Sequence, residues 1–392
     1  MQSEPLKMAL KWIPNCKIIS IFILVSFVTS CAKNYKEKNP IYTVLSSDNP
    51  LIRKVSDSLE QYEVQILFTR VKQDKNNFPL FEDFEFQVND SSYFYPASTV
   101  KLPVAVLALE KLHTEQKFDG NTKFYVEGDS VETTFYKEIS KIFAVSDNDA
   151  YNRLFEFLGP DYVNKKLEDK KLIPSRISHR LSVPDAFNLK TKSLVVYLND
   201  STVTPTRATV NHPPEKLSLK NITKGMGYMQ DDELVKEPFD FSEKNYLPLR
   251  TLHNMMKRLI FPEAFKPEEV FDLDSSAREF LLDAMHKTPG DAGYNRETFY
   301  DSYGKFFIYG DSKDSIPQTI YIYNKVGYAY GTLTDCAYIE DTKNKISFFI
   351  TATIMVNKNG IFNDDIYEYE TIGIPFLAAL GRALYKQELN LR

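Results

Sequence analysis

Blocks of apolar and polar positions divide this chain into helical and extended segments, and their order predicts an α+β architecture. Leu51 to Tyr62 reads as a helix, followed by Val64 to Val71 and Phe84 to Val88 as strands joined in a hairpin through the turn-rich Lys72 to Asp83. From Ser98 to about Leu172 the pattern is mostly helical, with amphipathic stretches at Ser98 to Leu112, Phe135 to Val145 and Ala150 to Phe157. After a loop-rich region, Leu247 to Leu259 and Ser275 to Met285 read as helices, with Pro248 suited to a first turn. Gln318 to Val326, Gly331 to Glu340 and Ile346 to Val356 are dense in Ile, Tyr, Phe and Thr and read as strands, the last two joined by the polar loop Asp341 to Lys345. Asp364 to Leu389 closes the chain as an amphipathic helix. The expected fold is an antiparallel sheet built from both chain ends and flanked by helices, with a helical subdomain, about 98–285, inserted between them.

The N-terminus sets the compartment. Lys7, Lys11 and Lys17 precede an apolar run from Ile18 to Val28, too short to span a bilayer and suited to the core of a signal peptide. The run ends in Val28-Thr29-Ser30-Cys31, which resembles a bacterial lipobox and implies lipidation of Cys31. Residues 1–30 are then the signal, 31–49 a polar tether and 50–392 the folded domain. Ala32 in place of aspartate favours outer- over inner-membrane retention in a Gram-negative host, so the expected location is the cell envelope, facing the periplasm and anchored in a membrane by lipid. An ordinary signal with a chance cysteine is the competing reading.

Net charge is −5 at pH 7; the first thirty residues carry three lysines and one glutamate, leaving about −7 for the rest, which argues against nucleic acid as a partner. With 43% hydrophobic residues the chain can fill a sizeable core. With Cys16 in the signal and Cys31 at the expected lipidation site, Cys336 is the only thiol inside the mature fold, so no intrachain disulfide forms there, and its apolar setting suggests a buried core residue. No metal-ligand spacing appears among the five histidines, so neither a metal nor a cofactor is expected, and a monomer is the expected state.

Candidate chemistry centres on Pro96-Ala97-Ser98-Thr99-Val100-Lys101-Leu102-Pro103. If a helix starts near Ser98, residues at i and i+3 share a face and Lys101 can reach the Ser98 hydroxyl, which needs a base to attack a carbonyl. The S-x-x-K spacing recurs at Ser30/Lys33 and Ser302/Lys305, and a capping serine beside a solvated lysine is the bland account of any one of them. Two further elements stand in order: Ser146-Asp147-Asn148 between two helices and Lys325-Val326-Gly327 in a late strand, each with a decoy at Ser47-Asp48-Asn49 and Lys358-Asn359-Gly360.

Together with the flanks Val145 to Ala150 and Tyr330 to Asp335, these three elements resemble the S-x-x-K, S-D-N and K-T-G motifs of the class A β-lactamase branch of the penicillin-recognising serine hydrolases. The resemblance runs from about Leu51 to the C-terminus and implies the β-lactamase/transpeptidase-like fold. By the resemblance, Ser98 is the nucleophile and Lys101 its base. Ser146 relays a proton to the leaving nitrogen, Asn148 holds the substrate amide, and Lys325 supplies positive charge near Ser146 and the substrate carboxylate. Gly327 and Tyr328 border the substrate, the backbone amides of Ser98 and Tyr328 forming the oxyanion hole.

Three departures limit the resemblance. The loop His179 to Asn188 lacks the glutamate that activates water for deacylation; aligning prolines puts Val183 there, and Asp185 is the only nearby carboxylate. Val326 replaces a hydroxyl residue that helps bind the β-lactam carboxylate. About sixty residues, roughly 190–246, are inserted before the helix at Leu247, and a hydrophobic satellite on the helical region, a lid or a partner surface all fit. The leading reading is an exported serine hydrolase acylated on Ser98 by a β-lactam, with slow deacylation. A D-alanyl peptidase or esterase acting on a peptidoglycan peptide or small ester is the second, and a non-catalytic envelope lipoprotein that binds a ligand in the same cleft is the third.

Overall fold

The computed structural model describes residues 39–199 and 201–391, so the expected signal, its Cys31 and the start of the tether lie outside the described residues. The rest of the expected tether is folded. Pro40–Leu45 is a helix (α1) with Ile41 and Val44 buried, its start fixed by Asn39, whose side-chain oxygen accepts from Ile41 N at 2.9 Å ahead of Pro40. The apolar stripe Ile41, Val44, Leu45 at i, i+3, i+4 explains the packing of this otherwise polar stretch. The helix expected over 51–62 divides into Pro50–Ser56 (α2) and a single turn, Leu59–Tyr62.

Five antiparallel strands form the main sheet: Gln65–Gln73 (β1), Pro79–Phe86 (β2), Ile320–Ala329 (β3), Thr332–Asp341 (β4) and Ile346–Met355 (β5), in the order β3-β4-β5-β1-β2. Its strands come from both chain ends, joined where Phe68 of β1 lies opposite Ile350 of β5. The β1/β2 hairpin runs tighter than its composition suggests, since Gln73 already pairs with Pro79 and the Asp74 carboxylate collects Asn76 N and Phe78 N.

Lys101–Glu115 (α3), Phe135–Val145 (α4), Asn148–Leu158 (α5), Pro160–Asp169 (α6), Leu249–Ile260 (α7) and Ser275–His286 (α8) build the inserted helical region. The chain closes on Ile374–Asn390 (α9), ten residues later than the pattern suggests, because Ile366 N turns back onto Asp364 and a π-helical turn, Tyr369–Gly373, intervenes.

The two-residue period of β5 sorts its side chains between two cores. Phe348, Ile350, Ala352 and Ile354 pack with Leu377, Leu380 and Leu384 of α9 and with the N-terminal helices. Phe349 turns the other way, joining Cys336 and Tyr338 of β4 against the helical region. His253 of α7 fastens that interface, its two ring nitrogens each 2.8 Å from a sheet hydroxyl, Thr69 Oγ1 and Thr351 Oγ1. Cys336 is buried as expected.

The insertion has two fates. Leu194–Asn199 and Thr202–Pro205 extend Lys123–Val126 into a small sheet on the helical region. The later part instead pairs Gly227–Gln230 with Ile361–Phe362 and seats Phe241 and Tyr246 among Tyr93, Tyr95 and Phe362. The satellite core is therefore aromatic and stands beside the residues that precede Ser98.

Candidate active site

Ser98 sits on a 3-10 turn, Ala97–Val100, that runs directly into α3. Ala97 holds a φ of +46°, an uncommon conformation for a residue with a Cβ, and Thr99 Oγ1 donates to Pro96 O at 2.7 Å to brace the turn. β3 lies against it so closely that a Cβ on Gly327 would stand 2.6 Å from Pro96 O and 2.8 Å from both Ser98 N and Thr99 N. Glycine is required there by space, and its neighbour Tyr328 is thereby brought beside the Ser98 amide.

Lys101 is fully buried. Its Nζ donates to Asn148 Oδ1 at 2.7 Å, to Ser146 Oγ at 3.3 Å and to Ser146 O. The lysine thus bonds to the second motif, while the Ser98 hydroxyl one turn away has no hydrogen-bond partner among the described residues. Burial pushes the ammonium down to about 7 against the opposing pull of Asp147.

Local structure explains why the second motif is available. Ser146 ends α4 in the left-handed region at φ +56°, and Asp147, not Asn148, caps α5 by accepting Ala150 N at 2.8 Å. Asn148 is left free to accept from Lys101 and to donate to Ser182 Oγ at 3.0 Å.

Lys325, on β3, donates to Ser146 Oγ at 2.8 Å and to Val326 O at 2.9 Å. Burial, with the charge of Lys101 second, holds its ammonium well below the ordinary lysine range. One serine hydroxyl is therefore shared by two buried amines, an arrangement suited to moving a proton.

Beneath Lys325 lies a polar network that no motif indicates. Lys305, the lysine of the third S-x-x-K, is buried rather than solvated and donates to Met285 O, Ile322 O and Asn324 Oδ1 at 2.9 to 3.1 Å. Asn324 Nδ2 donates to Asp335 Oδ1 at 2.9 Å. Burial raises Asp335 to about 6 and lowers Lys305 to about 8. Alternation along β3 could have pointed to Asn324; the S-x-x-K spacing marks Lys305 but gives no sign that it is buried.

Two cavities meet at Ser98, Asn148 and Tyr328. One, of about 360 Å³, is bounded by Ser146, Lys325, Val326, Ser302 and Tyr303. The other, of about 580 Å³, is bounded by Tyr95, His179, Ser182, Val183, Phe187, Lys244 and Tyr330. The loop between His179 and Asn188 is anchored by the buried pair of Arg180 Nε and Glu156 Oε1 at 2.5 Å, and Arg180 Nη1 donates to Asn188 O at 2.8 Å. Val183 faces the larger cavity, whereas Asp185 is exposed and lies 3.8 Å from Lys192. The loop therefore delivers no carboxylate to Ser98. Asp365 and Glu370, which border the cavities, are exposed residues of the segment before α9.

Solved structures with a similar course of the chain include a β-lactamase from Sphaerobacter thermophilus, at 13% identity and a TM-score of 0.49, covering 90% of this chain and 97% of that one. A class A β-lactamase from Mycobacterium abscessus aligns at 15% and 0.49, covering 84% and 96%. No curated protein matches the sequence. A family model described as the beta-lactamase enzyme family matches residues 50–387, and the chain belongs to that family.

Proposed function

We propose that this protein is an exported serine hydrolase that is acylated on Ser98 by a β-lactam and releases the acyl group slowly. The observation that carries the reading is the shared Ser146 hydroxyl, 3.3 Å from Lys101 Nζ and 2.8 Å from Lys325 Nζ, beside a Ser98 hydroxyl that has no partner among the described residues. With Lys101 held near 7, a large fraction of its amine is neutral at physiological pH and can take the Ser98 proton. Ser98 Oγ bonds to the carbonyl carbon, the oxygen turns to the amides of Ser98 and Tyr328, and negative charge collects there. As the C–N bond breaks, Ser146 gives its proton to the leaving nitrogen and is reprotonated from the lysines that bond it. A water molecule must then attack the ester, and the loop residue at the expected base position is Val183.

A second reading has a D-alanyl peptide or small ester as the substrate; Val326 favours the ester, because valine offers no hydrogen bond to the leaving-group carboxylate that a β-lactam and a D-alanyl peptide both carry. Labelling by a fluorescent penicillin, lost in Ser98→Ala, tests the first reading; turnover of esters and D,D-peptides exceeding that of nitrocefin favours the second. Anchoring through a lipid on Cys31 belongs to the same proposal and is checked by incorporation of labelled palmitate, lost in Cys31→Ala.

A further inference from the structure

The larger cavity contains a cation supplied by the insertion. Lys244 lines it together with Tyr95, Phe187 and Tyr330. Among the described residues its ammonium forms no ion pair. It donates to Tyr330 Oη at 3.4 Å and lies 5.1, 5.6 and 5.4 Å from the ring centres of Phe187, Phe239 and Tyr330. Rings of this kind favour a cation without neutralising it, so an anion entering the cavity meets an uncompensated charge.

The position of that charge is fixed by its backbone. Buried Arg176 donates to Lys244 O through Nε at 3.0 Å and Nη2 at 2.7 Å. The next residue, Asn245, is fully buried and accepts Ser178 N at 2.7 Å, tying Lys244 to the loop that lines the same cavity. Asp365 borders the cavity as well but does not pair with Lys244.

Orientation follows from the proton path. Ser146 serves the leaving group, so the leaving group occupies the smaller cavity that Ser146 lines and the acyl portion extends into the larger one. We propose that Lys244 recognises a carboxylate on the acyl portion of the substrate, set beside a flat aromatic or apolar group that the Tyr95, Phe187 and Tyr330 rings receive. The orientation rests on the hydrolase reading; the anion site rests on the cavity alone.

The test is non-covalent binding to the Ser98→Ala protein, measured by calorimetry with hippurate and its neutral amide, hippuramide, in the presence and absence of Lys244→Met or Lys244→Arg. Hippurate is expected to bind about tenfold more tightly than hippuramide at low ionic strength, and the preference to shrink at about 0.5 M salt. Lys244→Met should bring the ratio near one, while Lys244→Arg, which keeps the charge, should preserve most of it. Equal binding of the two compounds, no hippurate binding, or an unchanged ratio in Lys244→Met overturns the proposal. Since no acylation is needed, selective hippurate binding by Ser98→Ala, with a wild-type protein that reacts with no β-lactam, ester or D,D-peptide, refutes the hydrolase reading and leaves the anion site standing.

Discussion

Acylation should titrate with Lys101, and the structure sets both the midpoint and the sign. An ordinary lysine amine, with a pKa of about 10.4, is free in only about one molecule in 2,500 at pH 7. Burial brings Lys101 to about 7, so roughly half the molecules carry a neutral amine there, a gain of about a thousandfold in competent base. The single-turnover acylation rate should therefore rise with pH as Lys101 loses its proton, with a midpoint near 7, and level off above 8. Lys101→Arg should abolish the reaction, because guanidinium does not deprotonate in this range. Asp147→Asn is the sharper perturbation. Asn retains the ability to cap α5, while the charge that raises the Lys101 pKa is removed, so the midpoint should move to lower pH with the fold intact. Stopped-flow fluorescence with a reporter penicillin or activated ester, from pH 5.5 to 9, measures it. A flat profile, or wild-type rates in Lys101→Arg, would refute the reasoning.

Three other substitutions extend the account. Gly327→Ala places a methyl group 2.6 Å from Pro96 O, so the nucleophile turn must shift; acylation should fall at least about a hundredfold, with a loss of about 1–3 kcal/mol in urea unfolding. Val183→Glu adds a carboxylate on the cavity wall, and the acyl-enzyme lifetime, followed by mass spectrometry, should shorten by roughly tenfold. Burial depresses His179 to about 4, so its stabilising contribution is complete above the unfolded value near 6.5 and is lost as pH falls toward 4, amounting to about 3 kcal/mol. Asp335, raised to about 6, acts in the opposite direction below that pH, so the comparison is made between wild type and His179→Gln: denaturation midpoints from pH 7 to 4 should fall less steeply in the variant.

Much of the scaffold is readable because its signals are local. The continuous runs of Ile, Tyr, Phe and Thr in β3 to β5 and the amphipathic α4 carry their burial in consecutive residues, and the Ser98, Ser146 and Lys325 motifs lie on elements whose existence the pattern gives directly. What stays hidden depends on packing across sequence distance. Lys305 looks like a surface residue until Asn324 and Asp335, on two paired strands, enclose it. Lys244 is held at the cleft by contacts distant in sequence, Arg176, 68 residues earlier, binding its carbonyl and Ser178 binding Asn245 beside it. The Asn39 to Leu45 stretch is short and apolar between polar flanks, Lys33 to Asn39 and Ser46 to Asn49, and is overlooked for that reason, since three apolar positions on one face are enough to dock a short helix. Asp185 illustrates the converse: it is the one carboxylate the loop offers, and the loop points it at Lys192 and solvent.

The central claim, that Ser98 captures an acyl group more readily than the site releases it, is tested most directly by intact-mass spectrometry over time after mixing with a panel of β-lactams. The account predicts a single adduct on the wild type that persists for many turnovers' worth of time, none on Ser98→Ala, and faster decay in Val183→Glu. An absence of adduct with unreacted β-lactam, or rapid hydrolysis with no accumulating adduct, would contradict it.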